Sequence, residues 1–267
     1  MSTASNERQR RLFAETLIVG ELGGETRERM FDLYAAHYEA SSAALFLEDL
    51  ADKDWVVMIR DEDRAIRGFS TLKVGVFDDS ESHRRIRVLF SGDTVIDRAR
   101  WGTQALAFEW LRFAGQLKAE APETPLYWLL ISKGHRTYRY LPAFSVEYWP
   151  RFDAPTPASI QRLKDSLAVE HFGHYYSRES GIVSFEQSRG HLAPDLAEIP
   201  RDESLRPEVA FFLRANPGYR RGDELVCLTE LTPPNLKPLA RRVFLRGMAG
   251  DGAGGAAHGQ GDLGRAA

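Results

Sequence analysis

The stretch LFSGDTVIDRARWGTQALAFEWL, Leu89–Leu111, passes from one kind of periodicity to another and so decides how the chain is read. On its N-terminal side Ile86, Val88 and Phe90 alternate with polar neighbours, the period of a strand. Ser91, Gly92 and Asp93 then form an irregular strand end. From Trp101 onward Leu106, Trp110, Phe113 and Leu117 recur at 4-3-4 spacing, the apolar stripe of a helix. Arg98, Trp101, Gly102 and Thr103 occupy the junction between the two.

Working outward, PLYWLLIS (Pro125–Ser132) is a continuous apolar run, as expected of a strand covered on both faces. HRTYRYLPAF begins as a helix that Pro142 is expected to stop. Upstream, WVVMIRDEDRAIRGFSTLKVGVF reads as a hairpin turning at Asp61–Arg64, with Leu72, Val74 and Val76 facing inward. Before it stand a strand over Leu12–Leu22, a helix with Phe31, Tyr34 and Tyr38 on one face, and a second helix after Ser41 and Ser42. Downstream, the two prolines of Asp153–Pro157 mark a boundary. A helix over Ser159–Phe172, a strand at GIVSFE, a helix at PEVAFFLRAN and a strand at ELVCLTEL follow.

With 267 residues, 43% of them hydrophobic, the chain can bury one sizeable core. A net charge of -3 argues against nucleic acid as the partner. Cys227, the single cysteine, permits no intrachain disulfide and no cysteine-based zinc site. The longest apolar run is too short to span a bilayer, and the polar N-terminus lacks a signal-peptide pattern, so the cytoplasm is the expected location. The polar residues 1–11 and the Gly/Ala-rich tail 247–267 are expected to be disordered, leaving one domain over 12–246 with a core at 12–150 and a C-terminal extension at 151–246.

The order strand, helix, helix, three-strand meander, helix, buried strand, helix, strand resembles the GNAT (N-acetyltransferase-like) superfamily over roughly Leu12–Pro150, with GIVSFE and ELVCLTEL as candidates for the last two strands. The resemblance implies an α/β fold with a mixed, mainly antiparallel sheet flanked by helices. It further implies that the strands ending near Ser91 and Ile131 are parallel neighbours diverging at their C-terminal ends, with a thioester held in the gap. The donor would be acyl-CoA or an acyl-carrier-protein thioester, without a metal, and the acceptor a small-molecule amine or hydroxyl. In this family the loop after the fourth strand cradles a pyrophosphate on backbone N–H groups at a helix N-terminus. Arg98 and Gly102 match that loop in kind but are separated by three residues where the family has two.

The residues placed to serve such a site are Asp93 as the base, His37 as the alternative base, and Tyr138 (or nearby Tyr140) as proton donor to the leaving thiolate. Donor contacts would come from Ser91, Arg98, Gly102, Thr103, Ser132 and His135, with Lys133 beside them. Each has a structural alternative: Asp93 as a turn cap, His37 and Tyr138 as core, Arg98 as an ion-pair partner. Because the pyrophosphate loop departs from the family pattern, a GNAT-fold protein that binds an acyl compound or regulates a partner without turnover is the second reading. Aromatic residues at Tyr148, Trp149, Phe152, Phe172, Tyr175 and Tyr176 complete a core or line a pocket. No Walker loop, nucleophile elbow or Rossmann glycine set is present.

Overall fold

A computed structural model describes residues 11–79 and 83–250. The expected disordered ends lie mostly outside that range. An eight-stranded sheet runs in the order β1-β3-β4-β5-β6-β10-β8-β7. Its members are β1 (Leu12–Ile18), β3 (Trp55–Asp61), β4 (Ile66–Asp79), β5 (Arg84–Ile96), β6 (Leu126–Ser132), β7 (Tyr176–Ser177), β8 (Ile182–Val183) and β10 (Glu224–Glu230). All neighbours with recorded registers are antiparallel except β5 and β6, which pair in parallel from Arg87↔Leu126 to Ser91↔Leu130. This is the mixed, mainly antiparallel sheet flanked by helices that was expected. Beyond Ser91, β5 stays with β4 while β6 continues beside β10, so the parallel pair diverges as expected.

One face of the sheet carries α1 (Gly24–Ala35), α2 (Ala43–Ala51) and α6 (Ala158–Phe172), packed on Met58, Phe69, Val95, Val88, Leu129 and Val226. The other face carries α3 (Ala105–Glu120), α4 (His135–Tyr138), α5 (Tyr140–Phe144), α9 (Pro207–Ala215) and α10 (Pro238–Met248) over the largest core cluster. That face buries Val57, Leu72, Leu89, Leu130 and Cys227, the residues alternating with the first set. The C-terminal extension thus contributes strand β10 and helices to the same sheet.

Several local expectations are corrected. The first strand ends at Ile18, and a short 3-10 turn occupies Val19–Glu21. The first helix stops at Ala35, so Tyr38 belongs to a two-residue strand, β2 (Tyr38–Glu39), rather than to the helical face. Val76 is 60% exposed, because β4 runs past the helices that cover Leu72. Pro142 lies inside α5 instead of ending a helix, and GIVSFE keeps strand pairing only at Ile182 and Val183. Helix α10 was not foreseen: Ala240, Val243, Phe244 and Gly247 form its buried stripe, and Gly247 and Met248 belong to it rather than to a tail. Between β8 and α9 the chain forms β9 (His191–Leu192), α7 (Pro194–Ala197) and α8 (Arg201–Ser204), a strap joined to the body by pairing of β9 with β2.

Candidate functional site

The parting of β5 from β6 has a local cause. Between the paired positions Ser70↔Thr94 and Leu72↔Ser91, Thr71 alone opposes both Gly92 and Asp93. One extra residue in β5 makes a bulge, which bends the strand and resets its alternation. Phe90 and Val95 face α1, α2 and α6; regular alternation from Phe90 would send Asp93 to the opposite face, with Ser91. The bulge puts Gly92 and Asp93 on the same side, and both line one cavity. The Asp93 N–H donates to Thr71 Oγ1 at 3.0 Å, which fixes the bulge and occupies that donor.

That cavity, about 270 Å³, has a charged floor drawn from three adjacent strands. Asp93 comes from β5, Lys133 from just past β6, and Glu224 from the start of β10. Lys133 Nζ lies 3.5 Å from Glu224 Oε1 and 5.5 Å from the centre of the Tyr38 ring. Burial pushes the Asp93 carboxyl up to about 6 against the opposing pull of Lys133. Glu224 is pushed up to about 7, again chiefly by burial. Lys133 is held above the ordinary lysine value because Glu224 and Asp93 outweigh its own burial. The walls are aromatic: Phe46, Phe90, Phe172, Tyr175 and Phe185.

On the opposite face a narrower groove of about 80 Å³ runs along Thr94, Ile96, Trp101, His135, Arg136 and Tyr140. Thr94, Thr137 and Tyr140 also line a small cavity in the fork itself, with Ser91, Trp110 and Trp128. Ser91 Oγ accepts the indole N–H groups of Trp110 at 3.2 Å and Trp128 at 2.9 Å, so it anchors the inner end of the fork. Leu192 and Leu196 of the strap form the outer wall of the groove.

The structure brings some expected site residues together and separates others. Arg98 does not line the groove and forms a two-pronged ion pair with Asp195 of the strap, its Nη2 3.2 Å from Oδ1. Gly102 has φ of +89°, the left-handed region that glycine enters most readily, at the turn into α3. Thr103 Oγ1 accepts the Ala105 N–H at 3.2 Å and so already serves the first turn of that helix. His135 lies 3.0 Å through Nε2 from Glu203 Oε2; its pKa is lowered by burial, so the neutral ring donates Nε2–H to the carboxylate. His37 donates Nδ1–H to the Leu33 carbonyl at 2.9 Å, leaving an unpartnered Nε2 lone pair in the residue lining the groove.

Two expectations fail on position. Tyr138 is fully enclosed among Tyr148, Phe211 and Phe212, and its hydroxyl donates to the Pro150 carbonyl at 2.9 Å. It lines neither groove nor cavity: at the end of α4 its ring packs on α9, while Tyr140, at the start of α5, is the tyrosine that faces the fork. Ser132 is fully buried in register with Leu225 of β10, away from the groove. Glu224 joins Asp93 and Lys133 in the cavity, and its one sequence signal is an acidic residue opening the apolar run ELVCLTEL. The bulge and the strap left no such signal.

No protein-family model and no curated protein matches the chain. Among solved structures, it is similar to a GNAT family N-acetyltransferase from Escherichia coli in complex with CoA, at 13% identity and a TM-score of 0.33, over 46% of this chain and 64% of that one. It is similar to a probable N-acyltransferase of unknown function from Enterococcus faecalis at 10% identity and a TM-score of 0.40, over 82% of this chain and 66% of that one. A third is an aminoglycoside acetyltransferase from an uncultured soil metagenomic sample in complex with sisomicin, at 16% identity and a TM-score of 0.31, over 45% of this chain and 77% of that one. The chain thus spans just under two thirds of the first two structures, and at these scores no residue-by-residue correspondence follows. Among the described residues, no helix is long and apolar enough to cross a membrane.

Proposed function

We propose that the chain transfers an acyl group from a thioester, with acyl-CoA as the donor, to an amine or hydroxyl acceptor. The observation that carries this reading is the fork: β5 and β6 part beyond Ser91 and Leu130, with a groove on one face and a charged cavity on the other. The acceptor enters from the Asp93 cavity and the donor lies in the Trp101–Tyr140 groove. The acceptor's nitrogen or oxygen attacks the thioester carbonyl and loses a proton to Asp93, directly or through water. As the C–S bond breaks, the thiolate takes a proton from Tyr140, whose pKa burial pushes up to about 12 and which therefore stays protonated at neutral pH. His37, a residue lining the groove whose buried Nε2 has no hydrogen-bond partner, is the alternative base. The test is release of free thiol from a series of acyl-CoA thioesters in the presence of pooled amines and alcohols. In an active assay Tyr140→Phe is expected to lower turnover about tenfold to a hundredfold while donor binding persists.

One observation favours the second reading, a protein that keeps the fold without turnover. The groove is far smaller than a coenzyme, and the strap's Asp195 and Glu203 hold Arg98 and His135, the groups expected to meet phosphate. On the catalytic reading the strap yields to the donor, whose phosphates replace the two carboxylates. Asp195→Asn is then expected to tighten CoA binding several-fold in calorimetry, and Arg98→Ala to weaken it. Because the pair is exposed, both variants should melt close to the unaltered chain. A large fall in melting temperature for Arg98→Ala, with CoA affinity unmoved, would make Arg98 a structural ion-pair partner.

A further inference from the structure

Ser91 is buried at the inner end of the fork, and its neighbours dictate what its hydroxyl can do. An indole N–H only donates, whereas a serine hydroxyl has two acceptor sites and one proton to give. Trp110 Nε1 donates to Ser91 Oγ at 3.2 Å and Trp128 Nε1 at 2.9 Å, so both acceptor sites are filled. The hydroxyl is left with donation alone, and its proton points away from both rings. Among the described residues no acceptor takes that proton. Both rings are buried and packed 4.4 Å apart between centres, so the arrangement is held firmly. Two donors into one oxygen also polarise its O–H and strengthen the bond it can make.

The side left open is the small cavity in the fork, about 20 Å³, which has room for one group the size of a water molecule. Leu106, Leu130 and Phe144 make its walls apolar, a setting in which a single hydrogen bond counts for more than in water. Thr94, Thr137 and Tyr140 line both this cavity and the donor groove, so the two adjoin. Other donors nearby are engaged. The Asp93 N–H bonds Thr71 Oγ1 at 3.0 Å, and the hydroxyls of Thr94 and Ser70 bond each other at 2.9 Å. Tyr140 is the proton source for sulfur. Thr137 also offers a hydroxyl, but no filled acceptor sites force its proton into the cavity as the two indoles force that of Ser91.

From this directed hydroxyl, and resting on the acyl-transfer reading above, we infer that Ser91 is a catalytic residue whose side-chain O–H binds the thioester carbonyl oxygen in the fork cavity and stabilises the negative charge that develops there. As the nucleophile bonds to the carbonyl carbon, the electron pair of the C=O double bond moves onto oxygen, and the nucleophile's proton goes to Asp93. Ser91 keeps its own proton and shares it with the oxyanion as a hydrogen bond. The pair then returns to re-form C=O, the C–S bond breaks, and sulfur leaves with the bonding electrons and takes the Tyr140 proton. Solvent restores that proton and removes the one on Asp93. No oxidant or reductant is involved.

Two measurements on the full chain separate this role from a purely structural one. The first is the infrared carbonyl stretch of bound acetyl-CoA labelled with carbon-13 at the acetyl carbonyl. It is expected to lie below its position in an apolar solvent, and to move up in Ser91→Ala. The second is thiol release, in which Ser91→Ala should lower kcat about a hundredfold, the usual loss for one oxyanion donor, with acetyl-CoA affinity little changed. Ser91→Ala also strips two buried indoles of their acceptor. Trp110→Phe therefore provides a second variant, which keeps the ring and the hydroxyl but empties one acceptor site. It should show smaller changes of the same sign in both measurements. Where Ser91→Ala does not fold, an unmoved carbonyl band and unchanged kcat in Trp110→Phe overturn the inference. A folded Ser91→Ala with both quantities unmoved overturns it as well, as do losses found in Thr137→Val instead. Thiol release indifferent to Ser91 leaves acyl transfer standing without this residue. A carbonyl band that depends on Ser91, with no thiol released to any acceptor, does the reverse: the contact stands and the transfer reading falls.

Discussion

Asp93→Asn is expected to lower turnover by about a hundredfold or more with donor binding unchanged. The substitution keeps the size and shape of the side chain, and the bulge is held by the backbone N–H of residue 93, which the variant retains. What disappears is the proton acceptor. The pH profile adds an independent check. Burial raises the carboxyl to about 6, and only the deprotonated form accepts a proton from the nucleophile. The rate should therefore rise with pH through about 6 and level off above it. Asp93→Asn should lose that limb along with the rate. Glu224, also raised by burial, titrates close by, so the limb belongs to the pair and Glu224→Gln should displace it. Turnover in Asp93→Asn close to that of the unaltered chain, with the loss found instead in His37→Ala, would transfer the role of base to His37.

The second large effect concerns folding. Helices α3 and α10 touch backbone to backbone, at Gly115 of one and Gly247 of the other. A Cβ at residue 115 would stand 2.0 Å from the Phe244 carbonyl oxygen, and one at 247 would stand 1.9 Å from that of Arg112. Neither obstacle is a side chain that can turn aside, so the helices must separate. Their separation would also strip the packing around Ala114, Leu111, Val243 and Phe244. Gly115→Leu is expected to cost more than about 4 kcal/mol, comparable to the whole stability of many domains. The chain should fail to fold, or melt far below its normal temperature. Gly102→Ala, where an added Cβ meets nothing, isolates the other role of glycine: only the left-handed backbone resists it, at a cost of about 1–2 kcal/mol. A chemical-denaturation curve for Gly115→Leu overlapping that of the unaltered chain would show that the helices do not meet as described.

The local sequence was sufficient for most of the elements. Alternation at Ile86, Val88 and Phe90, the 4-3-4 stripe of α3 and the unbroken apolar run of β6 each reflect burial on one face or on two, and burial is written in residue type. The place of Arg98 at the strand–helix junction was legible in the same way. Helix α10 carries the same kind of signal, the i, i+3, i+4, i+7 recurrence of Ala240, Val243, Phe244 and Gly247 after Pro238, next to a tail rich in Gly and Ala. Other features depend on partners remote in the chain. Asp93 reaches the cavity because Thr71, twenty-two positions earlier, opposes two residues of β5, and no period within β5 encodes that register. Lys133 meets Glu224 because β10 pairs with β6 across ninety-one positions. Tyr138 ends α4 and Tyr140, two places on, begins α5, and only the packing of α9 decides which becomes core and which faces the fork. By itself, then, the sequence determined most of the elements and the buried face of the main ones, since those follow from local period and residue type; which polar side chains meet was decided by tertiary structure alone, since that follows from register, bulges and crossings between distant segments.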